Sequence, residues 1–107
     1  MNNMQQLLQR AQKLQEKLAQ TQKEIEVKEV TGTSGAGAIS IVMTVKGNVK
    51  SVIIDKSVIN PDDKEMLEDL IVAAFNDART KADIMHEEGM KAATGGMDIS
   101  KLTGGMF

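Results

Sequence analysis

The chain has 107 residues, 41% of them hydrophobic and 26% charged, with a formal net charge of -2. That is the size and balance of one small globular domain rather than of a strongly basic polyanion binder. The absence of cysteine excludes disulfides and thiolate metal sites. Phe75 and Phe107 are the only aromatic residues, so stacking on single-stranded bases is disfavoured and the core must be aliphatic, with eight methionines as adaptable filler.

The opening residues, "MNNMQQLLQRAQ", contain no continuous apolar run, so no secretory leader is expected, and the lack of cysteine suits a reducing cytoplasm. No stretch of the sequence approaches the length of a membrane span, and no membrane partner is expected. Met4, Leu7, Ala11, Leu14, Leu18 and Ile25 recur at steps of three and four, with Thr21 as the polar insertion, which predicts an amphipathic helix. Its apolar seam is narrow, so the helix wants a second helix from its own chain or from another copy.

From Ile25 the period changes to two, and "EIEVKEV" predicts a strand. A glycine-rich stretch follows, "VTGTSGAGAISI", with Gly32, Gly35 and Gly37. "AISIVMTVK" then predicts a second strand, with Ile39, Ile41, Met43 and Val45 on one face. Gly47 and Asn48 mark a tight turn, and "VKSVIID" is the third strand, with Val52 and Ile54 on one face and Val49 and Ile53 on the other. Three strands joined in this way make an antiparallel meander, covered on one face by helix and partly on the other by a partner.

A second helix is predicted from "INPDDKEMLEDL", with Asn60 as N-cap, Pro61 at the first helical position, and Asp62 and Asp63 at the positive end of the dipole. Leu67, Leu70, Ile71, Ala74, Phe75, Ala78, Ala82 and Met85 form its apolar stripe, and Gly89 is expected to end or fray it. Residues 1–90 therefore read as one domain. Residues 91–107 read as a flexible tail carrying Thr-Gly-Gly-Met twice, at Thr94–Met97 and Thr103–Met106. A docking role for that tail on a protein partner is the less favoured alternative.

Glycine-rich loops can cradle phosphates, but a phosphate-binding loop needs a strand before it and a helix after it. Here a strand follows, no Gly-Lys-Ser/Thr sequence occurs, and Gly35 and Gly37 lack the third glycine of a dinucleotide fingerprint. The stretch reads instead as a mobile connection between strands. His86 is the single histidine, so neither a histidine-based triad with a spare nor a histidine pair for zinc is available. Asp62, Asp63, Glu65, Glu68 and Asp69 suit a solvated helix N-terminus. No catalytic constellation emerges, and no enzyme, cofactor or metal is expected.

The net charge hides an asymmetry. From Met1 to Lys23, Arg10, Lys13, Lys17 and Lys23 face Glu16 alone, a net +3. From Asn60 to Met90, nine acids face Lys64, Arg79 and Lys81, a net -6. Arg10, Lys13 and Lys17 are three and then four residues apart, so they share one helical face beside the apolar seam. Most such runs are solvated faces, but two copies would present two basic stripes, and phosphate contacts supply most non-specific DNA affinity.

The Gln/Lys-rich first helix, "VTGTSGAGAISIVM", "VIID", "DDKEMLEDLIVAAFNDA" and a tail with "TGGM" together closely resemble the YbaB/EbfC family of bacterial nucleoid-associated proteins. The resemblance covers nearly the whole chain. It implies an α+β fold of helix, three strands and helix. It also implies a homodimer joined through sheets and helices with the long helices projecting, binding of double-stranded DNA with little sequence preference, and a part in nucleoid organisation and gene regulation. Carried to this sequence, the family's basic helix residues correspond to Arg10, Lys13 and Lys17, with Lys23 on the same helix and Arg79 and Lys81 on the second. The alternative function is an adaptor that docks onto a DNA replication or repair machine.

Overall fold

The computed structural model describes residues 3–95. Helix α1 spans Asn3–Glu26, strands β1, β2 and β3 span Glu29–Ser34, Ile39–Thr44 and Val49–Ile54, and helix α2 spans Lys64–Ala93. A single 3₁₀ turn, Lys56–Val58, precedes α2. The strands form one antiparallel sheet in the order β1-β2-β3, the predicted meander.

Glutamine, lysine, leucine and alanine, all good helix formers, carry α1, and Gln20 and Gln22 each donate to the glutamate four residues on. The helix continues through Ile25 to Glu26, so β1 begins at Glu29 and not inside "EIE". Ile25 satisfies both periods, and tertiary packing decides between them. It is buried as the last inward residue of α1, against the space that Gly89 of α2 leaves open.

The glycine-rich stretch divides in two. Gly32 lies inside β1, facing α2, where a Cβ would overlap the Ala74 carbonyl oxygen and the Ala78 backbone nitrogen. Gly35, Ala36 and Gly37 form the β1–β2 hairpin at φ of 59°, 56° and 91°. The positive-φ glycines make the expected turn between two strands, closed by Gly37 N–H donating to Ser34 O and Ala38 N–H to Gly35 O, both at 3.1 Å.

The β2–β3 connection is equally tight. Gly47 N–H donates to Thr44 O at 2.9 Å, and Thr44 N–H donates to Asn48 O at 2.8 Å. Gly47 at φ 113° supplies the left-handed step that closes a three-residue hairpin loop. Beyond it the register slips: Val42 pairs with Ser51 but Met43 pairs with Val49, which leaves Lys50 as the extra residue of a β-bulge. Paired residues share a face, so Val49 joins Val52 and Ile54 on the side of Met43, Ile41 and Ile39. The alternation expected for β3 fails at that one inserted position.

Helix α2 starts three residues later than predicted. Asp63 is its N-cap, accepting from Met66 N–H at 3.3 Å. Asn60 instead accepts from Asp62 N–H at 3.0 Å and closes the turn that holds Pro61. Both residues are good caps by chemistry, and the turn takes the first of them. The helix also runs through Gly89 to Ala93, where Thr94 caps it and Gly95 at φ 69° breaks it. Packing of Ile25 on Gly89 explains a glycine inside the helix. The remainder of the tail, with Met97 and the second Thr-Gly-Gly-Met, lies outside the described residues.

Ala74, Ala78 and Ala82, one turn apart on α2, are fully buried against the sheet, and their small side chains let the helix lie close on β1 and β2. Val30 and Met43 pack with Ala78 and Ala82, while Ile39 and Ile41 pack with Ala74, Leu67, Leu70 and Ile71. The outer edge of β1 is closed by α2: Thr33 N–H donates to Asp77 and Lys81 donates to Thr31 O, both at 2.9 Å. Ser34 adds a bond to Leu70 O. The radius of gyration is 20.1 Å, against about 13 Å for a compact chain of this length. The two long helices account for the elongation, and α1, about 36 Å long at 1.5 Å per residue, is exposed over residues 3–24 apart from the half-buried Leu18 and Thr21.

Candidate nucleic-acid interface

The site residues expected from the sequence fall into three settings. Arg10, Lys13 and Lys17 stand on the exposed length of α1, and among the described residues none of them forms an ion pair. At about 100° of rotation per residue, the three lie within about 60° of one another and roughly 100° from the seam of Met4, Leu7, Ala11 and Leu14. They form a free cationic stripe beside an uncovered apolar one.

Arg79 and Lys81 are on α2 and already have partners. Arg79 Nε lies 3.4 Å from Asp83 Oδ1, four residues on. Lys81 Nζ lies 3.0 Å from Asp77 Oδ2 and also holds the β1 edge through Thr31 O. The Asp77 carboxylate is held below its ordinary pKa, first by the Thr33 backbone N–H and then by Lys81. It therefore stays ionised and keeps Lys81 engaged.

Lys23 belongs to neither group. Six residues on from Lys17, it is rotated by about 120° round the helix. It lines a cleft of about 520 Å³ together with Glu26, Val27, Thr44, Lys46, Asn48 and Lys50. Lys46, Asn48 and Lys50 were not expected from the sequence. The signal that could have found them is a pair of lysines flanking a Gly-Asn turn, but their approach to Lys23 depends on how the hairpin docks on α1.

The acidic residues gather at the start of α2, where Asp63, Glu65 and Asp69 border a shallow depression with Met66, Leu70 and Ala73. Among the described residues no group of histidines and carboxylates is arranged to hold a metal ion, and no helix is long and apolar enough to cross a membrane. Among the described residues the first part of the α1 seam is uncovered: Met4 is 70% exposed, Leu7 59%, and Leu8 and Leu14 are also exposed. On the sheet, Val49, Val52 and Ile53 of β3 are exposed as well.

Residues 1–97 match the model of the YbaB/EbfC DNA-binding family. A protein of Rhodospirillum rubrum named nucleoid-associated protein is 45% identical over 99 residues, covering 92% of both chains. One of the same name from Xylella fastidiosa is 46% identical over 97 residues, covering 91% of this chain and 89% of its own. The crystal structure of an uncharacterised protein from Helicobacter pylori matches with a TM-score of 0.65 at 21% identity, covering 80% of this chain and 90% of that one. The last match supports the fold.

Proposed function

The chain belongs to the YbaB/EbfC DNA-binding family, and from that premise we propose that it binds double-stranded DNA as a homodimer, through phosphate contacts from α1, with low sequence preference. The observation that carries the reading is the stripe of Arg10, Lys13 and Lys17: exposed, free of ion pairs among the described residues, and raised on a helix that projects from the body. Arg79 and Lys81 each share their charge with a carboxylate on the same helix, so α1 bears most of the reading. Lysine and arginine read no sequence through phosphates, and their contribution to affinity is electrostatic.

A dimer is supported by what the single chain leaves uncovered. Among the described residues the seam of α1 from Met4 to Leu14 stays uncovered, and β3 offers an open edge beside Val49, Val52 and Ile53. The opposite edge is already closed by Asp77 and Lys81, so the second copy joins through β3 and the helices. Pairing also doubles the stripe, which offsets the net charge of -2 on each chain. We infer that in the cell it acts on the nucleoid, on DNA conformation and gene regulation.

The test is a mobility-shift titration of duplexes of unrelated sequence against salt, with the mass measured by light scattering. The expected result is a dimer whose affinities for the different duplexes are similar and fall together, with a log–log slope near -0.9 for each phosphate neutralised. A clean dimer that shifts no duplex at low salt would refute the proposal and favour the protein adaptor.

A further inference from the structure

We propose that the cleft between the end of α1 and the β2–β3 hairpin is a second phosphate-binding site for the DNA backbone, built from Lys23, Lys46, Asn48 and Lys50; the inference rests on the DNA-binding reading above. These residues come from separate parts of the chain, and the backbone fixes them together. Lys46 N–H donates to Glu26 O at 3.2 Å and Val45 N–H donates to Lys28 O at 2.9 Å, which ties the hairpin loop to the end of α1. Lys23 lies one turn before Glu26, so the same two bonds set its distance from Lys46.

The hairpin itself is stiff. Thr44 is buried, its hydroxyl oxygen accepts from Asn48 N–H at 3.0 Å, and its backbone closes the loop on both sides. Asn48, which lines the cleft, therefore has a fixed backbone. Lys50 is the inserted residue of the β-bulge, and a bulge re-aims the side chain it carries. Without the insertion, Lys50 would pair with Met43 and face the covered side of the sheet; with it, Lys50 lines the cleft.

The charge balance suits an anion. Three lysines border the cleft against one carboxylate, Glu26, which accepts from the Gln22 amide at 3.1 Å and forms no ion pair among the described residues. Lysine is a point-charge donor suited to phosphate, and the asparagine amide adds a neutral donor. A free phosphate ion and a DNA phosphate offer the same chemistry, but three exposed lysines open to solvent suit a long polyanion that passes over the cleft. A competing role for these lysines is to offset the negative end of the α1 dipole. That role would affect thermal stability and leave DNA binding untouched.

The experiment compares the full-length protein with Lys46→Gln/Lys50→Gln, with the single variant Lys50→Gln, and with Lys56→Gln/Lys64→Gln, which removes the same charge from the 3₁₀ turn and the start of α2, outside the cleft lining. Duplex affinity is measured by fluorescence anisotropy across a salt series, with thermal melting in parallel. The expected result is a log–log slope shallower by about 1.8 per chain for the cleft double variant and by about 0.9 for the single one, with the control pair unchanged. If the cleft variants keep the parent slope, or the control pair loses as much, the site is refuted while the DNA reading stands. If the parent protein binds no duplex, both fall together.

Discussion

Gly32→Ala tests the packing that holds the sheet on α2. The added methyl would overlap the Ala74 carbonyl oxygen and the Ala78 backbone nitrogen and would lie 2.5 Å from the Ala78 Cβ. Two of these three neighbours are backbone, so no side-chain rotation relieves the clash. The helix must lift by about 1.3–1.8 Å to restore ordinary contact at about 3.5–4 Å, and that loosens Ile39, Ile41 and Met43, all fully buried beneath it. Overpacking of a core costs about 1–3 kcal/mol, and a displaced helix belongs at the upper end. At about 4–8 °C per kcal/mol for a domain near 100 residues, the melting temperature falls by roughly 12–24 °C. Far-UV circular dichroism at one fixed protein concentration reads the shift, since any dimer makes melting concentration-dependent. A variant that melts within about 2 °C of the parent would refute the close approach of β1 to α2 on which this estimate rests.

Gly89→Ala should cost far less, because its methyl meets the flexible end of the Ile25 side chain and alanine gains about 1 kcal/mol of helix propensity; its melting temperature should stay within about 8 °C of the parent. Asp77 is held below its ordinary value of 3.8, so its contribution to stability is complete above that pH and is lost as the pH falls through the lowered pKa. Asp77→Asn should therefore melt below the parent at neutral pH, with the gap closing as the pH drops below 3.8. Leu7→Glu/Leu14→Glu places charge on the uncovered seam of α1 and should reduce the mass in light scattering from dimer to monomer while helicity persists. An unchanged mass would remove the seam from the interface.

The order of elements was legible because each carries its own period. Ile39, Ile41 and Met43 alternate into the core as expected, and the apolar stripe of α2 is the face that packs on the sheet. Boundaries failed where two signals were equally good. Ile25 fits both a helix and a strand, and Asn60 and Asp63 are both competent caps, so only packing and turn geometry choose between them. Gly89 reads as a stop until Ile25 is seen to need the space.

The basic stripe of α1 was legible because three cations within one helix need no tertiary information. The cleft was not. Lys50 reaches it through one inserted residue in β3, and Lys46 through two backbone bonds to the end of α1. Neither leaves a mark on composition or spacing. Lys81 shows the converse: from the sequence it is one more cation, whereas in the fold it closes the edge of β1.

The most direct measurement compares the salt dependence of duplex binding by the parent with that of Arg10→Gln/Lys13→Gln/Lys17→Gln, whose three replaced residues are all exposed. The account predicts a folded variant of unchanged mass, weaker on every duplex, with a slope shallower by about 2.7 per chain. A variant that binds with the parent's affinity and slope would contradict it.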